Sequence, residues 1–327
     1  MDSNDNIYDI VIVGGGPAGI EGALQAKKTG LSYMLIEKTY PGSLIIDTMA
    51  EKKFYHVYGR NTATLKGALT FPDRITGKEL VTLWQKQAET LNVKIDTVLR
   101  IQKEGDTFVV KTPTTHVLPV YTSPACVEYK ARRVLLTSGT FENPRKLHVP
   151  GEEGHPNIFY ALDYYNDYSN KTIIVVGGGN SALETAIYHG EQNKIVLIVR
   201  KDHFTDSVTE KNKAEVGAMV GEEKVEICWQ SKVEAITGNS ATINKSGMTH
   251  QLPFDYMFVH AGYEKPLEFL KSAGIEIEES IGGGKPKFDE NFETNVQGLY
   301  IAGSLTGADS VIESANQAYT IVNNLKD

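Results

Sequence analysis

Two stretches of this 327-residue chain carry residues spaced for holding a dinucleotide. In the first, the apolar run Ile10-Val11-Ile12-Val13 leads into Gly14-Gly15-Gly16-Pro17-Ala18-Gly19. A β-branched run of this kind reads as a buried parallel strand. The Gly-x-Gly-x-x-Gly spacing then gives each glycine a task. Gly14 allows the tight turn, Gly16 lets a pyrophosphate approach the backbone, and Gly19 lets helix and strand pack closely. Pro17 suits the first helical turn, where its missing N–H costs nothing. The helix start, at Ala18, turns free N–H groups and a positive dipole end toward a phosphate. The pattern recurs at Ile174-Val175-Val176, followed by Gly177, Gly178, Gly179, Asn180, Ser181 and Ala182. One such motif is weak evidence. Two, each set between an apolar run and a helical pattern, point to two dinucleotide sites.

The residues at the end of the next strand separate the two sites. With Gly14 set on Gly177, Glu37 falls on Arg200. Glu37, with Lys38 behind it, ends the second strand of the first copy, where such a unit places an acid on an adenosine ribose. A carboxylate accepts two ribose hydroxyl bonds and repels a 2′-phosphate. The first site therefore suits a plain ribose, as in FAD or NAD. Arg200 and Lys201 end the second copy, and a guanidinium binds a 2′-phosphate with paired bonds. The second site leans to NADPH, while the adjacent Asp202 leaves NADH open. Two dinucleotides in one chain imply electron transfer between them, with the cofactors supplying the chemistry and the protein positioning them.

The elements that must position these residues can be read from periodicity. Strands are expected over 7–13 and 32–37, with a helix over 17–29 capped by Gly30. Residues 41–60 read as an irregular aromatic loop containing Phe54, Tyr55, His56 and Tyr58, with Tyr40 just before it. These rings could cover a flat ligand or simply pack on one another. A helix is expected over 76–91 and strands across 93–136, including 94–100, 108–111 and 117–121. Cys126 among them reads as a small core residue. The strand 133–136 ends in Thr137-Ser138-Gly139. A turn-rich linker containing Asn143-Pro144 comes next, and the second βαβ unit begins near Lys171. The segment 255–262 closes that unit at Gly262, with Lys265-Pro266 behind it. The two strand–Gly–Pro segments read as paired hinges around an inserted domain. Residues 298–304 form a last strand and glycine turn, and a helix over 311–325 begins with Ser310 and Glu313 as a capping box. Its N-terminus, at Ser310 and Val311, points beyond Gly303.

Composition narrows the class. There are 33 basic against 41 acidic residues, a net charge of −8, which argues against general nucleic-acid binding. No apolar run is long enough to span a bilayer. The N-terminal residues are polar and acidic, unlike a signal peptide. Cys126 and Cys228 form no Cys-x-x-Cys, which suits a reducing cytoplasm and excludes a cysteine-built metal site. The eight histidines are scattered without metal-ligand spacing, so no metal is expected.

Nearly the whole chain, in order, resembles the low-molecular-weight thioredoxin reductase family. Gly14–Gly19 looks like the family's FAD fingerprint, and Thr137-Ser138-Gly139 stands where the family has Ala-Thr-Gly. Gly177–Ala182 looks like its nicotinamide fingerprint. Val199-Arg200-Lys201-Asp202-His203-Phe204 resembles its basic 2′-phosphate segment, with Thr205 at a later basic position. Gly298–Gly303 is similar to the final FAD-contacting strand, and the usual Gly-Asp after it is Gly303-Ser304. The family's Cys-x-x-Cys is replaced by Phe159-Tyr160-Ala161-Leu162-Asp163-Tyr164. The resemblance therefore implies a dithiol-free branch, which includes ferredoxin/flavodoxin–NADP reductases, flavodoxin-linked quinone reductases and bacillithiol disulfide reductases. The last group bears a cysteine where this chain has Ala18.

The expected fold is α/β, with two doubly wound dinucleotide-binding domains. Residues 1–145 and 263–327 would form the FAD-binding domain, and 146–262 an inserted NAD(P)-binding domain. The expected function is an NAD(P)H-dependent, FAD-containing oxidoreductase, cytoplasmic and homodimeric, passing electrons to an external acceptor without an active-site disulfide. No side chain need serve as nucleophile. The acceptor would be flavodoxin or ferredoxin, or else a small disulfide or quinone; a non-catalytic dinucleotide sensor is the rival. Acidic carriers require a basic patch, for which Lys52-Lys53 and Lys285 with Lys287 are candidates.

Overall fold

In the computed structural model the chain divides into two units, Met1–Glu142 with Lys265–Asp327, and Asn143–Glu264. The structure describes residues 6–56, 64–113, 126–163, 166–279, 283–308 and 310–325. The expected strand over 117–121 and the rings of Tyr58 and Tyr164 lie outside these residues.

The first unit is built on a seven-stranded sheet. The strands Val93–Ile95, Tyr33–Glu37, Ile7–Val13 and Cys126–Leu136 run parallel, and Leu299–Ile301 adds to the far end of Cys126–Leu136. Thr107–Pro113 and Arg100–Glu104 continue the sheet antiparallel. The central strand is apolar on both faces because both are covered: Ile10, Val11 and Ile12 are fully buried. One face packs on the helices Pro17–Thr29 and Val311–Asn324, through Ala23, Ala26, Ala318 and Ile321. Gly30 ends the first helix in the left-handed conformation, as its type predicts.

Several local expectations change. The segment 41–60 is not wholly irregular, since Ser43–Met49 forms a helix. It starts at Gly42, at φ 84°, without a side-chain cap, so the usual start signal is missing. Burial of Ile45 beside Val81 holds it in place. The expected strand 94–100 is broken, because Val93–Ile95 ends beside Glu37 and the next strand starts at Arg100. The helix expected over 76–91 runs Gly77–Ala88, with Thr76 and Glu79 forming a reciprocal capping box. Cys126 is exposed rather than a core residue, because it opens its strand at the sheet's end, opposite Pro113.

The second unit is a five-stranded parallel sheet in the order Ile158–Phe159, Tyr256–Val259, Thr172–Val176, Lys194–Ile198 and Val225–Cys228. The order turns back between Thr172–Val176 and Tyr256–Val259, the place where open sheets of this kind bind ligands. A separate antiparallel sheet, Ser231–Thr237, Ser240–Lys245 and Met248–Pro253, covers one face with Val233, Ile236 and Ile243. The helices Asn180–Gly190 and Glu210–Gly221 cover the other. Asn143–Pro144 pairs antiparallel with Tyr263–Glu264, so both crossing segments form one ribbon within this unit. The units divide at 142/143 and 264/265 rather than at the expected 145/146 and 262/263. No helix among the described residues is long and apolar enough to cross a membrane.

Candidate dinucleotide sites

In the first unit the glycine turn is held by contacts only glycine allows. Gly14 sits at φ 105°, and a Cβ there would lie 2.6 Å from the Thr137 carbonyl oxygen. A Cβ on Gly19 would lie 1.8 Å from the Gly14 carbonyl oxygen. Above Gly16, by contrast, nothing lies within 4 Å of an added Cβ. The turn is thus closed on the protein side and open where a pyrophosphate would approach, which fits the proposed cofactor. Thr137 locks it from the neighbouring strand, its hydroxyl donating to the carbonyls of Val13 at 3.0 Å and Gly14 at 2.7 Å.

Glu37 reaches back to this turn. Its Oε2 accepts from the Gly15 amide at 2.5 Å and its Oε1 from Thr39 at 3.2 Å. Each oxygen keeps a further acceptor position for a ribose hydroxyl. Lys38 turns away into an exposed ion pair with Glu142, so its side chain is not aimed at the turn. The C-terminal segment completes the site. Gly303, at φ 76°, would place a Cβ 3.7 Å from that of Ala18, and Ser304 Oγ lies 3.5 Å from the Cβ position of Gly139. Ser138 is exposed beside Gly139. Gln317 fixes the turn by accepting from the Gly303 amide at 2.8 Å and the Thr306 hydroxyl at 3.0 Å. Ser310 Oγ accepts from the Glu313 amide at 3.1 Å, so Val311 begins a capped helix as expected. Residues from four separate stretches of sequence therefore meet around one glycine turn.

One buried residue here has no counterpart among the sequence-based expectations. Glu21, fully buried one turn after Ala18, accepts from Gln25 and from the amides of Ala68 and Leu69 at 2.6, 3.0 and 2.6 Å. Burial raises its carboxyl pKa despite these bonds. Asn316 ties the same segment from the other side, accepting from the Lys66 amide and donating to the Thr64 carbonyl. The pair anchors residues 64–69 on the two helices that bound the site. A glutamate on the apolar side of a helix is the signal that could have found it.

The second turn repeats the first. Gly177, at φ 144°, would place a Cβ 2.5 Å from the His260 carbonyl oxygen, so His260 stands where Thr137 stands. The helix Asn180–Gly190 begins at Gly179, in extended conformation, and Ser181 and Ala182 lie in its first turn. Ala182 stands in place of the third glycine, its methyl 3.1 Å from the Cβ position of Gly177. Burial pushes the His260 imidazole down to about 4, and its Nε2 lies 2.8 Å from Thr185 Oγ1. Gly262, at φ 89°, carries the chain into the crossing ribbon, its carbonyl accepting from Arg145.

The register corrects the comparison of the two copies. Val13 lies opposite Ile36, and Val176 opposite Ile198. The segment between is one residue shorter in the second unit, so Glu37 corresponds to Val199 and Lys38 to Arg200. The contacts agree: an added Cβ on Gly15 would meet Glu37, and one on Gly178 would meet Val199 Cγ1 at 3.1 Å. The second turn therefore faces an apolar side chain, with Arg200 and Lys201 exposed just beyond. Asp202 Oδ1 lies 2.5 Å from His203 Nδ1, and the charge of the adjacent Lys201 also acts on this carboxylate.

Asn180 was expected to meet the cofactor. Its side chain instead binds the protein, donating to the Ser207 carbonyl at 2.7 Å and accepting from the Thr209 amide and Asn212 Nδ2. Its backbone in the helix's first turn remains available to a phosphate. The expected basic patch also changes: Lys287 pairs with Glu276, and Lys285 lies over the Phe288 ring at 5.1 Å. Of the aromatic group, His56 packs edge-on against Phe71 at 4.9 Å, ring on ring within the protein.

A mixed sheet and a parallel sheet, each with a glycine turn at the end of a parallel strand, one followed by an acid and the other by a basic pair, define a two-dinucleotide oxidoreductase. Residues 11–303 match the family described as pyridine nucleotide-disulphide oxidoreductase, and the chain belongs to it. It is an oxidoreductase whose cofactors are FAD and NADPH. The chain is 24% identical to bacilliredoxin reductase Bdr of Bacillus subtilis, covering 93% of this chain and 91% of that protein. It is 27% identical to a ferredoxin–NADP reductase of Ignicoccus hospitalis, covering 95% and 94%. Among solved structures, bacillithiol disulfide reductase Bdr from Bacillus cereus superposes with a TM-score of 0.86 at 21% identity, covering 98% and 99%. The last likeness concerns the fold.

Proposed function

We propose that this protein takes electrons from NADPH and delivers them, by way of FAD, to an external one-electron or two-electron carrier of the ferredoxin or flavodoxin kind, without an internal disulfide. The cysteine inventory carries the reading. The chain has two cysteines, Cys126 in the first unit and Cys228 in the second. Phe159–Asp163 stands where thioredoxin reductases have their dithiol. The relatives named ferredoxin–NADP reductase support the choice of acceptor.

When bound, the flavin accepts a hydride and releases electrons singly or in pairs. The chain's own residues bind and orient. The Gly14–Gly19 turn and the first turn of the helix Pro17–Thr29 would hold the FAD pyrophosphate, and Glu37 the adenosine ribose. Ser138, Gly139, Gly303, Ser304 and the helix start at Ser310–Val311 would line the rest of that site. Gly177, Gly179 and the amides of Asn180 and Ser181 would hold the nicotinamide coenzyme's pyrophosphate, with Arg200 and Lys201 on its 2′-phosphate. The basic pair, with Asp202 held by His203, favours NADPH over NADH.

A second reading, reduction of a low-molecular-weight disulfide, is favoured by the relative named bacilliredoxin reductase. The buried Ala18 counts against it, since it stands where bacillithiol disulfide reductases bear a cysteine. Stopped-flow reoxidation of the NADPH-reduced protein against ferredoxin, flavodoxin, small disulfides and quinones separates the two. Fast reoxidation by a carrier protein is expected; reoxidation by a disulfide alone would favour the second reading, and by none of them a sensor.

A further inference from the structure

The loop carrying Arg200 and Lys201 is closed on the second glycine turn at both ends. It leaves at Val199, whose Cγ1 packs on Gly178, and returns at Thr205, whose amide donates to the Gly178 carbonyl at 2.9 Å. Between these points Phe204 packs on Trp229, with ring centroids 4.7 Å apart. Beyond Thr205 the chain is held by the Val208 amide donating to the Thr205 carbonyl at 3.0 Å, by burial of Val208, and by the side chain of Asn180. Asn180, the first residue of the helix after the glycines, donates to the Ser207 carbonyl at 2.7 Å and accepts from the Thr209 amide at 3.1 Å and from Asn212 Nδ2 at 3.0 Å. Thr209 in turn caps the helix Glu210–Gly221, its hydroxyl accepting from the Asn212 amide. The Asn180 side-chain amide thus ties the start of the helix after the glycines directly to the far side of the basic loop and to the next helix.

We infer that Asn180 is a positioning residue for coenzyme choice: its side chain touches no coenzyme but fixes the spacing between the pyrophosphate turn and the 2′-phosphate loop. This rests on the assignment of Arg200 and Lys201 to the 2′-phosphate. A ligand that engages both subsites gains most when their spacing is set before it arrives, because the loop need not be ordered on binding. A ligand that engages the pyrophosphate turn alone gains little from the tie. Thr205 belongs to the same arrangement, since its Oγ1 lies 3.8 Å from the Cβ position of Gly179 and 3.1 Å from Ser207 Oγ. The tie keeps these two hydroxyls together beside the second glycine turn.

The test is calorimetric titration of the oxidised FAD-loaded protein with NADP+ and NAD+, for the parent, Asn180→Ala, Asn212→Ala and Arg200→Ala. The ratio of NADP+ to NAD+ affinity is expected to fall about tenfold in Asn180→Ala, the usual size of a coupling between two sites. Asn212→Ala, which keeps the bond to Ser207, should shift the ratio the same way by less, and it carries the test if Asn180→Ala does not fold. Loss of NADP+ and NAD+ affinity in equal proportion, or no loss, in the asparagine variants while Arg200→Ala remains selective would overturn the inference alone. An unselective Arg200→Ala would overturn the 2′-phosphate assignment, and the inference with it.

Discussion

Glu37 in the first unit and Val199 in the second are structural counterparts, each placed one residue beyond the strand position that accepts the first glycine's amide. Gly14 donates to Ile36 at 2.8 Å, and Gly177 to Ile198 at 3.0 Å. At the first turn the next side chain is a carboxylate bonded to Gly15, and at the second it is an apolar wall beside Gly178. The coenzyme choice we propose for the second unit thus has two parts: the absence of an acid at Val199, and the presence of cations at Arg200 and Lys201.

Two substitutions separate these parts. Arg200→Ala should raise the Michaelis constant for NADPH far more than for NADH, since a charged hydrogen bond is worth about 1.5–3 kcal/mol, roughly ten- to a hundredfold. Val199→Glu should shift preference the same way by placing a carboxylate where Glu37 stands. Steady-state kinetics with both coenzymes checks each. Equal losses with NADPH and NADH would remove the assignment.

The first glycine turn makes a contrasting pair of predictions. Gly16→Val adds a side chain into open space, so the protein should fold normally yet purify without flavin. Gly19→Ala drives a methyl into the Gly14 carbonyl and should cost about 1–3 kcal/mol of stability or more, as over-packing does. The ratio of flavin to protein absorbance, with urea unfolding alongside, distinguishes the two. Full flavin content in Gly16→Val would mean the wrong site has been assigned.

Neither cysteine is expected to carry electrons. A bridging pair needs Cα atoms about 4.4–6.8 Å apart. Cys126 opens a strand of the first sheet, whereas Cys228 ends a strand of the other. Burial and the nearby Glu226 carboxylate also push the Cys228 thiol up, away from thiolate. The double variant Cys126→Ser, Cys228→Ser should keep its NADPH–flavin half-reaction. Anaerobic dithionite titration should take two electrons per FAD in both proteins. Four in the parent and two in the variant would restore a disulfide mechanism.

The second unit should be sensitive to acid through His189. Its ring is 4% exposed and stacks on Phe258 at 4.8 Å, and among the described residues its Nε2 has no hydrogen-bond partner. Burial depresses its pKa from 6.5 to about 4, with Asp163 partly opposing. The unfolded chain therefore binds the proton first. The stability gained from the neutral ring is complete above pH 6.5 and is lost as pH falls to about 4, a change of about 3 kcal/mol. His189→Leu should make this part of the profile shallower, leaving the share that His260 contributes, when urea unfolding is compared at pH 7 and pH 4.5. An unchanged slope would show that His189 does not titrate in this window.

Much of this protein is legible in its sequence. The glycine spacing, the apolar strands before it and the helix caps are local, since each depends on residues within a turn or two of one another. They place Ile7–Val13, Pro17–Thr29 and Val311–Asn324 to within a residue or two. They also mark both dinucleotide turns. The features that stay hidden are set by contacts across the sequence. The correspondence of Glu37 with Val199 depends on strand register, which a one-residue difference in the connecting segment shifts. The use of Asn180 depends on Ser207, Thr209 and Asn212, brought to it by the fold. Glu21 finds its partners at Ala68 and Leu69 only because that segment passes over its helix. Residue type fixes what a side chain can bond, but tertiary packing decides which partner uses the bond, because a buried polar group takes whichever complementary group the fold brings within reach.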